Sequence, residues 1–207
     1  VIPAPGVYTL DPAHKRLGFL AMHMMVSPVR GEFGDGAATV HVADDPLSSQ
    51  ISATIAAATI NTLNPERDAH LMSPDFLDVV NHPTIEFRST GMKLKDQVDP
   101  IFSWARLKAN ASGHRPANLD EPDRSTGRFV VPGELTIKGV TRAVELECQF
   151  GGARRDPYGR DIFGFSATCE IDREDYGLLW NVALETGGVL VARKVRIELA
   201  GEAIREA

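Results

Sequence analysis

Cysteine is scarce in this sequence, two residues in 207. Cys148 and Cys169 form no C-x-x-C pair and fit no zinc-site spacing, which excludes a disulfide framework and a structural zinc module. Both fall on apolar strand faces, in "VELECQF" and "DIFGFSATCEI", and read as free, buried thiols. Long apolar runs are missing too. None approaches the ~18 residues of a membrane-spanning helix, and the opening "VIPAPGVYTLD" has neither the basic nor the apolar region of a signal peptide. A cytoplasmic location is therefore expected, or a periplasmic or secreted one if a leader has been removed ahead of Val1. Positive charge is in deficit, 22 Lys and Arg against 28 Asp and Glu for a net charge of −6. That argues against a general nucleic-acid or anionic-membrane surface, which needs clustered cations. The short runs Arg154-Arg155 and Arg193–Arg196 read as a turn and a strand edge. Catalytic signatures are also absent: no G-x-S-x-G, H-E-x-x-H, P-loop or G-x-G-x-x-G. The histidines at 14, 23, 41, 70, 82 and 114 make no metal pair on one strand face or helix turn. No catalytic residue and no metal site is assigned.

What the sequence has in quantity is period-two alternation. Strands are expected at Val7–Leu10, Arg16–Met25, Val29–Val42, Ser49–Ile60, Thr84–Lys93, Gly127–Ile137, Ala143–Gly151, Asp161–Ile171 and Val189–Ala203, separated by turn signals such as "SPVRG", "ADDPLSS" and "DPYG". This is an all-β chain, and many long strands with few helices point to a tall antiparallel barrel of about eight strands. One or two short helices are expected, one capped by Asn64 with Pro65 first and one capped by Ser73 with Pro74 first. "REDYGLLW" reads as a further short turn. The length fits one domain over 1–207. Its rhythm breaks once, over Asp96–Gly127, a Pro-, Asn-, Asp- and Ser-rich excursion expected to be mobile and dispensable for folding.

The apolar pattern points to a cavity. In "RLGFLAMHMMV", Leu17, Phe19, Ala21, His23 and Met25 share one strand face, and Leu20, Met22 and Met24 share the other. One face would line the interior, while the other would be covered by the chain's own helix or by a second copy, so a homodimer is expected. "ISATIAAATI" places small residues along a barrel wall. Protein interiors normally pack without voids, so such a wall implies that a ligand fills the space, and a barrel of this strand number holds one. A long, thin apolar molecule suits it. In "GGVLVARKVRIEL", Arg193 shares its face with Val189, Val191, Val195, Ile197 and Leu199. It is expected to point the way the core points, and therefore to sit near a barrel end where its head reaches solvent, to find a carboxylate, or to meet an anionic ligand.

Five blocks then appear in order: "YTLDPAHKRLGF" with the histidine that follows it, "VRGEF", "INTLNPERDAHLMSPDFLDVVNHPTIEFRST", "VPGELTIKGVTRAV" and "GFSATCEIDREDYGL". Together they resemble the YceI-like family across nearly the whole chain outside Asp96–Gly127. By motif, His14 and His23 match the first block, Arg67, Asp68, His70 and Leu71 the "RD-x-HL" element, and Phe76, Pro83 and Phe87 the segment after it. Leu63 stands where the family usually has glycine, and Arg193 and Lys194 stand where it often has an acidic pair.

The resemblance implies a lipocalin-like extended barrel, a frequent dimer, and a non-enzymatic role in holding a polyisoprenoid lipid, either a polyprenyl phosphate or an isoprenoid quinone, as carrier or store. No other cofactor is expected. Leu17, Phe19, Ala21, His23, Phe33, Ile55, Phe76, Phe87, Leu135, Ile137, Leu146, Phe163 and Phe165 would line or close the cavity, with Arg193 at its mouth. "ERDAHL" reads as a capped, hydrogen-bonded turn that seats a helix on the barrel. The alternatives are an enzyme modifying an isoprenoid lipid, with His23 or His70 as its acid–base group, and a stress-related scaffold without ligand.

Overall fold

The structure is a computed structural model that describes residues 2–95, 127–183 and 189–206. The excursion expected at 96–127 lies, apart from Gly127, outside the described residues. Eleven strands are present among the described residues: β1 (Gly6–His23), β2 (Ser27–Phe33), β3 (Gly36–Val42), β4 (Gln50–Ala56), β5 (Ile60–Asn61), β6 (Thr84–Ser89), β7 (Lys93–Leu94), β8 (Arg128–Ile137), β9 (Val140–Arg155), β10 (Asp161–Asp172) and β11 (Val191–Arg205). They form one antiparallel sheet that closes where β11 pairs with β1, from Tyr8 opposite Arg205 to His23 opposite Val191.

The barrel has eight staves, some of them interrupted. β1 pairs with β2 along its second half and with β3 at its start, so β2 and β3 are two parts of one stave. β4 and β5 likewise make one stave, pairing with β3 and β2 in turn. The expected strands over 29–42 and 49–60 therefore both split, and the two breaks face each other. Gly34 N–H donates to Thr59 O (3.0 Å), Ala56 N–H to Asp35 O (3.1 Å), and Asp35 N–H to Thr59 Oγ1 (3.1 Å), so the kinked backbones satisfy each other's polar groups. Conversely, the strands expected at 7–10 and 16–25 fuse into β1. A bulge at residues 11–14 absorbs the irregularity, and the Asp11 carboxylate accepts Ala13 N–H inside it (2.9 Å).

Among the described residues there is one α-helix, α1 (Pro65–Met72). Asn64 caps it as expected, its side chain accepting Arg67 N–H at 3.0 Å. The second expected helix does not form. Ser73 ends α1, its N–H donating to His70 O, and its own carbonyl accepts both Phe76 and Asp78 N–H, making successive turns. Asp78 then takes a left-handed φ of 49°, which stops any helix from propagating. "REDY" forms a short 3-10 turn, Arg173–Tyr176, capped by the Asp172 carboxylate and ended by Gly177 at φ 75°. β1 ends at His23, so Met25 does not continue the inward face. Met24 and Met25 instead form the β1–β2 turn, both at positive φ (52° and 60°). No helix among the described residues is long and apolar enough to cross a membrane.

The wall admits little extra volume where the β6 and β8 backbones meet. A Cβ at Gly133 would lie 2.5 Å from the Phe87 ring and 2.6 Å from the Arg88 carbonyl oxygen. Since the carbonyl belongs to a paired strand, it has no rotamer through which to yield. Gly133→Ala is expected to cost about 1–3 kcal/mol in urea unfolding. Gly164→Ala, whose Cβ would meet nothing within 4 Å, is expected to leave stability unchanged.

Candidate functional site: an apolar cavity along the barrel

The inward faces of the staves enclose a cavity of about 360 Å³, within the range of small-molecule sites. It exists because several inward residues are small: Ala21 on β1, Ala38 on β3, Ala53 on β4, Ala167 on β10 and Ala203 on β11 all line it. The buried core is correspondingly divided. A large cluster holds Ile60, Leu77, Phe87, Val131, Leu135 and Tyr176 among others, and a small one holds Tyr8, Val42, Phe163 and Ala203. The cavity lining draws on both. At one end stand Ile2, Pro3, Val42, Pro46 and Ser49, and at the other Leu71, Phe76, Leu77, Leu178, Arg173 and Tyr176. The interior is therefore apolar along the height of the barrel, with aromatic rings packed edge or tilted along it, as in Phe19–Phe33 (5.8 Å between centroids) and Phe150–Phe163 (6.0 Å).

Of the residues expected to line the cavity, Leu17, Phe19, Ala21, Phe33, Ile55, Phe76, Phe87, Leu135, Ile137, Leu146, Phe163 and Phe165 do so. His23 does not. It is the last residue of β1, half-buried at the start of the turn, outside the lining. Arg193 is also misplaced by simple alternation. Between Ala21 opposite Val195 and His23 opposite Val191, two steps on β1 face four on β11. This bulge breaks the period, so Val191 and Val195 both line the cavity while Arg193 turns outward. There Arg193 Nη2 donates to Asp172 Oδ2 at 2.8 Å, and its Nε lies 3.0 Å from Glu174 Oε2. The Asp172 partner raises the Arg193 pKa. Asp172 itself sits below the usual carboxylate range, because the Glu174 N–H and Arg193 outweigh the opposing effect of burial.

Sequence reasoning missed Arg173 and Tyr176 as lining residues. Their turn was legible, but its inward orientation depends on how "REDYGL" folds back against β11. Arg173 Nε donates to Ala192 O (3.0 Å), Nη1 to Leu178 O, and Nη2 lies 3.4 Å from Val191 O.

The "ERDAHL" block acts as a clasp. Asp68 Oδ1 accepts from both Thr62 N–H (2.9 Å) and Thr62 Oγ1 (2.5 Å), while Arg67 donates to Thr62 Oγ1 (2.7 Å) and Thr62 O (2.8 Å). Thr62 is buried and ties the start of α1 to the end of β5. His70 Nε2 pairs with Asp75 Oδ2 at 3.0 Å, and its ring meets Trp180 (4.5 Å) and Phe76 (5.0 Å) edge-on. His70 does not line the cavity. Both cysteines are free, with burial pushing Cys148 up to about 12 and raising Cys169.

At the opposite end, the β1 bulge gathers Asp11, His14 and Glu202, with one ligand-type atom from each lying within 4.8 Å of the others. His14 Nδ1 is 2.9 Å from Asp11 Oδ2 and 3.9 Å from Glu202 Oε2. The hydrogen bond to Asp11 raises the His14 pKa, and the same bond lowers that of Asp11. A raised histidine contributes stability fully below its ordinary value of about 6.5 and loses it as pH rises through the folded value. A lowered aspartate contributes above about 4 and loses it as pH falls through the folded value. The pair therefore supports the bulge most between about pH 4 and 6.5. The stability difference between wild type and His14→Ala, from urea unfolding at a series of pH values, is expected to peak in that window. A difference independent of pH would show that the pair contributes nothing.

Comparison with known proteins places these features in a family. The chain matches the YceI-like domain over residues 8–203. It is 32% identical over 197 residues to the UPF0312 protein SAS2572 of Staphylococcus aureus, covering 94% of this chain and 95% of that one. Among solved structures, its fold resembles a YceI protein of Campylobacter jejuni (TM-score 0.66, 21% identity, 90% of each chain) and BcnA of Burkholderia cenocepacia (TM-score 0.65, 18% identity, 93% and 98%). It also resembles a domain of Saccharophagus degradans described as polyisoprenoid-binding (TM-score 0.60, 11% identity, 98% and 100%). The chain, with its closed eight-stave barrel and apolar interior, belongs to the YceI-like family.

Proposed function

We propose that this protein binds a polyisoprenoid lipid inside the barrel and serves as a carrier or store for it. The observation that carries this reading is the cavity itself, walled by small residues and apolar from the Pro3 end to the Phe76 end. A branched hydrocarbon chain excluded from water fits such a space, because transfer of its apolar surface is the driving force and needs no directional partner. The polyisoprenoid-binding description of the Saccharophagus degradans domain supports the same ligand class. A binding role is favoured over catalysis because His23 and His70, the acid–base candidates, lie outside the lining. Reaction at a bound lipid requires such groups within hydrogen-bond reach of it.

Organic extraction of protein purified from its native host is expected to release a polyisoprenoid in near-stoichiometric amount. Ala53 lines the cavity and faces Phe87 across the β4–β6 pair. Ala53→Phe is expected to fill that volume and lower lipid affinity by at least about tenfold, ~1.4 kcal/mol, with a normal far-UV spectrum. Undiminished lipid binding by a folded Ala53→Phe protein would rule out the cavity as the site.

We further propose that two copies associate through the β1–β2 turn. Met24, Met25 and Val26 are 42%, 65% and 81% exposed, and half-buried Leu20 and Met22 stand behind them. Exposed apolar side chains grouped in this way mark contact surfaces. Sedimentation equilibrium at micromolar concentration is expected to give twice the chain mass, and Met25→Ser with Val26→Ser is expected to give a monomer. A monomer mass for wild type would refute the association.

A further inference from the structure

The two ends of the cavity are closed in different ways. At the α1 end the closure is dense. Phe76 and Leu77 are buried there, and the Trp180 ring packs on Phe76 (5.5 Å between centroids) as well as on His70. The segment that carries Trp180 is pinned to β11: the Asn181 side chain donates to Val191 O (2.8 Å) and accepts Val191 N–H (3.0 Å). Arg173 holds the neighbouring Leu178 carbonyl, and the clasp on Thr62 ties α1 itself to the wall.

At the opposite end, Ile2 and Pro3 line the cavity beside Val42, Pro46 and Ser49. The loop that carries Pro46 and Ser49 is bonded within itself. The Asp45 carboxylate accepts Leu47 N–H (3.1 Å), and Ser49 Oγ accepts Ala43 N–H (3.2 Å). Residues Ile2–Pro5 are held much less firmly. They belong to no strand, and among the described residues none of them makes a backbone–backbone hydrogen bond. The sequence supplies the reason: Pro3 and Pro5 carry no N–H, so this stretch cannot extend the β1 ladder. Gly6 then takes φ 151°, a conformation that residues with a Cβ rarely adopt, and the chain leaves the line of the strand there. Two tethers remain. The Tyr8 hydroxyl donates to Ala4 O (2.9 Å), and Arg205 Nη2 donates to Pro5 O (2.6 Å). The segment thus combines an apolar side on the cavity, a glycine hinge and two side-chain hydrogen bonds. Local opening takes least free energy where a segment has few such contacts.

We propose that Ile2–Pro5 is a hinged cover over the entry to the cavity, and that the ligand passes between this segment and the loop that carries Pro46 and Ser49. The proposal rests on the reading of the barrel as an isoprenoid binder and adds a route and a control of rate. Entry from this end also sets direction: the part of the ligand that enters first comes to lie toward Phe76, and the part that enters last lies under Ile2 and Pro3. Opening breaks the tethers and lifts two apolar side chains off the cavity, and closing restores both. Association and dissociation then scale together with the fraction of open molecules, whereas affinity is set by the cavity wall.

The test follows binding of all-trans-retinol, an isoprenoid alcohol whose fluorescence rises on leaving water, by stopped-flow mixing. Tyr8→Phe removes the tether to Ala4 and keeps the ring that packs on Phe163 (5.0 Å). It is expected to raise the association and dissociation rates together by about fivefold, the order of effect of one net hydrogen bond, with Kd within about twofold of wild type. Ile2→Ser, at a residue outside both buried clusters, is expected to shift the rates in the same direction and gives the same readout without touching the core. Asn181→Ala, at the α1 end, is expected to leave both rates at their wild-type values. Unchanged rates in both Tyr8→Phe and Ile2→Ser, or faster rates in Asn181→Ala, would overturn the cover. Weaker binding at an unchanged association rate would do so too, because it places the effect in the bound state. Absence of retinol binding by wild type would instead overturn the isoprenoid-binding reading on which the cover rests.

Discussion

Pairing between β1 and β11 is the constraint on which the rest of this structure depends. Without it the sheet would be an open, twisted ribbon with two exposed edges and no interior. With it, every stave has two neighbours and the inward faces enclose a common space. The pairing runs almost the whole height of the barrel, interrupted by bulges at its two ends. Each bulge releases local side chains from the inward–outward alternation. One places Asp11 and His14 together at the rim, and the other turns Arg193 away from the interior. Closure thus creates the cavity, and the imperfections of closure position the polar groups around it.

A wall of alanines carries a cost in stability. Side chains that end short of the barrel axis forgo dispersion contacts, and interior voids lower stability in proportion to their volume. The chain offsets this with dense packing elsewhere: the fully buried Val131 and Tyr8, the aromatic pairs at both ends, and the clasp on Thr62. A ligand that fills the cavity would restore the missing contacts and stabilise the folded state by mass action. Stability and ligand binding would then be coupled through one volume.

Much of this was legible in the sequence because period-two alternation survives wherever strands are regular. Leu17, Phe19 and Ala21, like Leu135 and Ile137, line the interior as alternation dictates. Alternation fails where an extra residue enters a strand, and nothing in "VARKV" marks the bulge that reverses Arg193. The interrupted staves were invisible for a related reason. The break at Gly34 exists because it meets the break at Thr59, 25 positions away, and that pairing is a property of the closed barrel. Arg173 and Tyr176 lay in a recognised turn, but the orientation of Arg173 follows from carbonyls contributed by Leu178, Val191 and Ala192. The described helix was placed by its cap and its proline. The second expected helix had the same signals and was stopped by the left-handed backbone of Asp78.

The pairing of Tyr8 with Arg205 also has a consequence during synthesis. β1 is the longest strand among the described residues and precedes the others in the chain, yet one of its edges stays unpaired until the residues beyond 190 are available. Over that interval a long, largely apolar template faces solvent. Contacts this distant in sequence form slowly, because the closure entropy of nearly the whole chain precedes any gain from them. Lys15, Arg16 and the bulge at residues 11–14 interrupt that edge with charge and irregular geometry, two devices that hinder strand addition by other chains. The irregular part of β1 would then guard the nascent barrel against aggregation before it shapes the finished one.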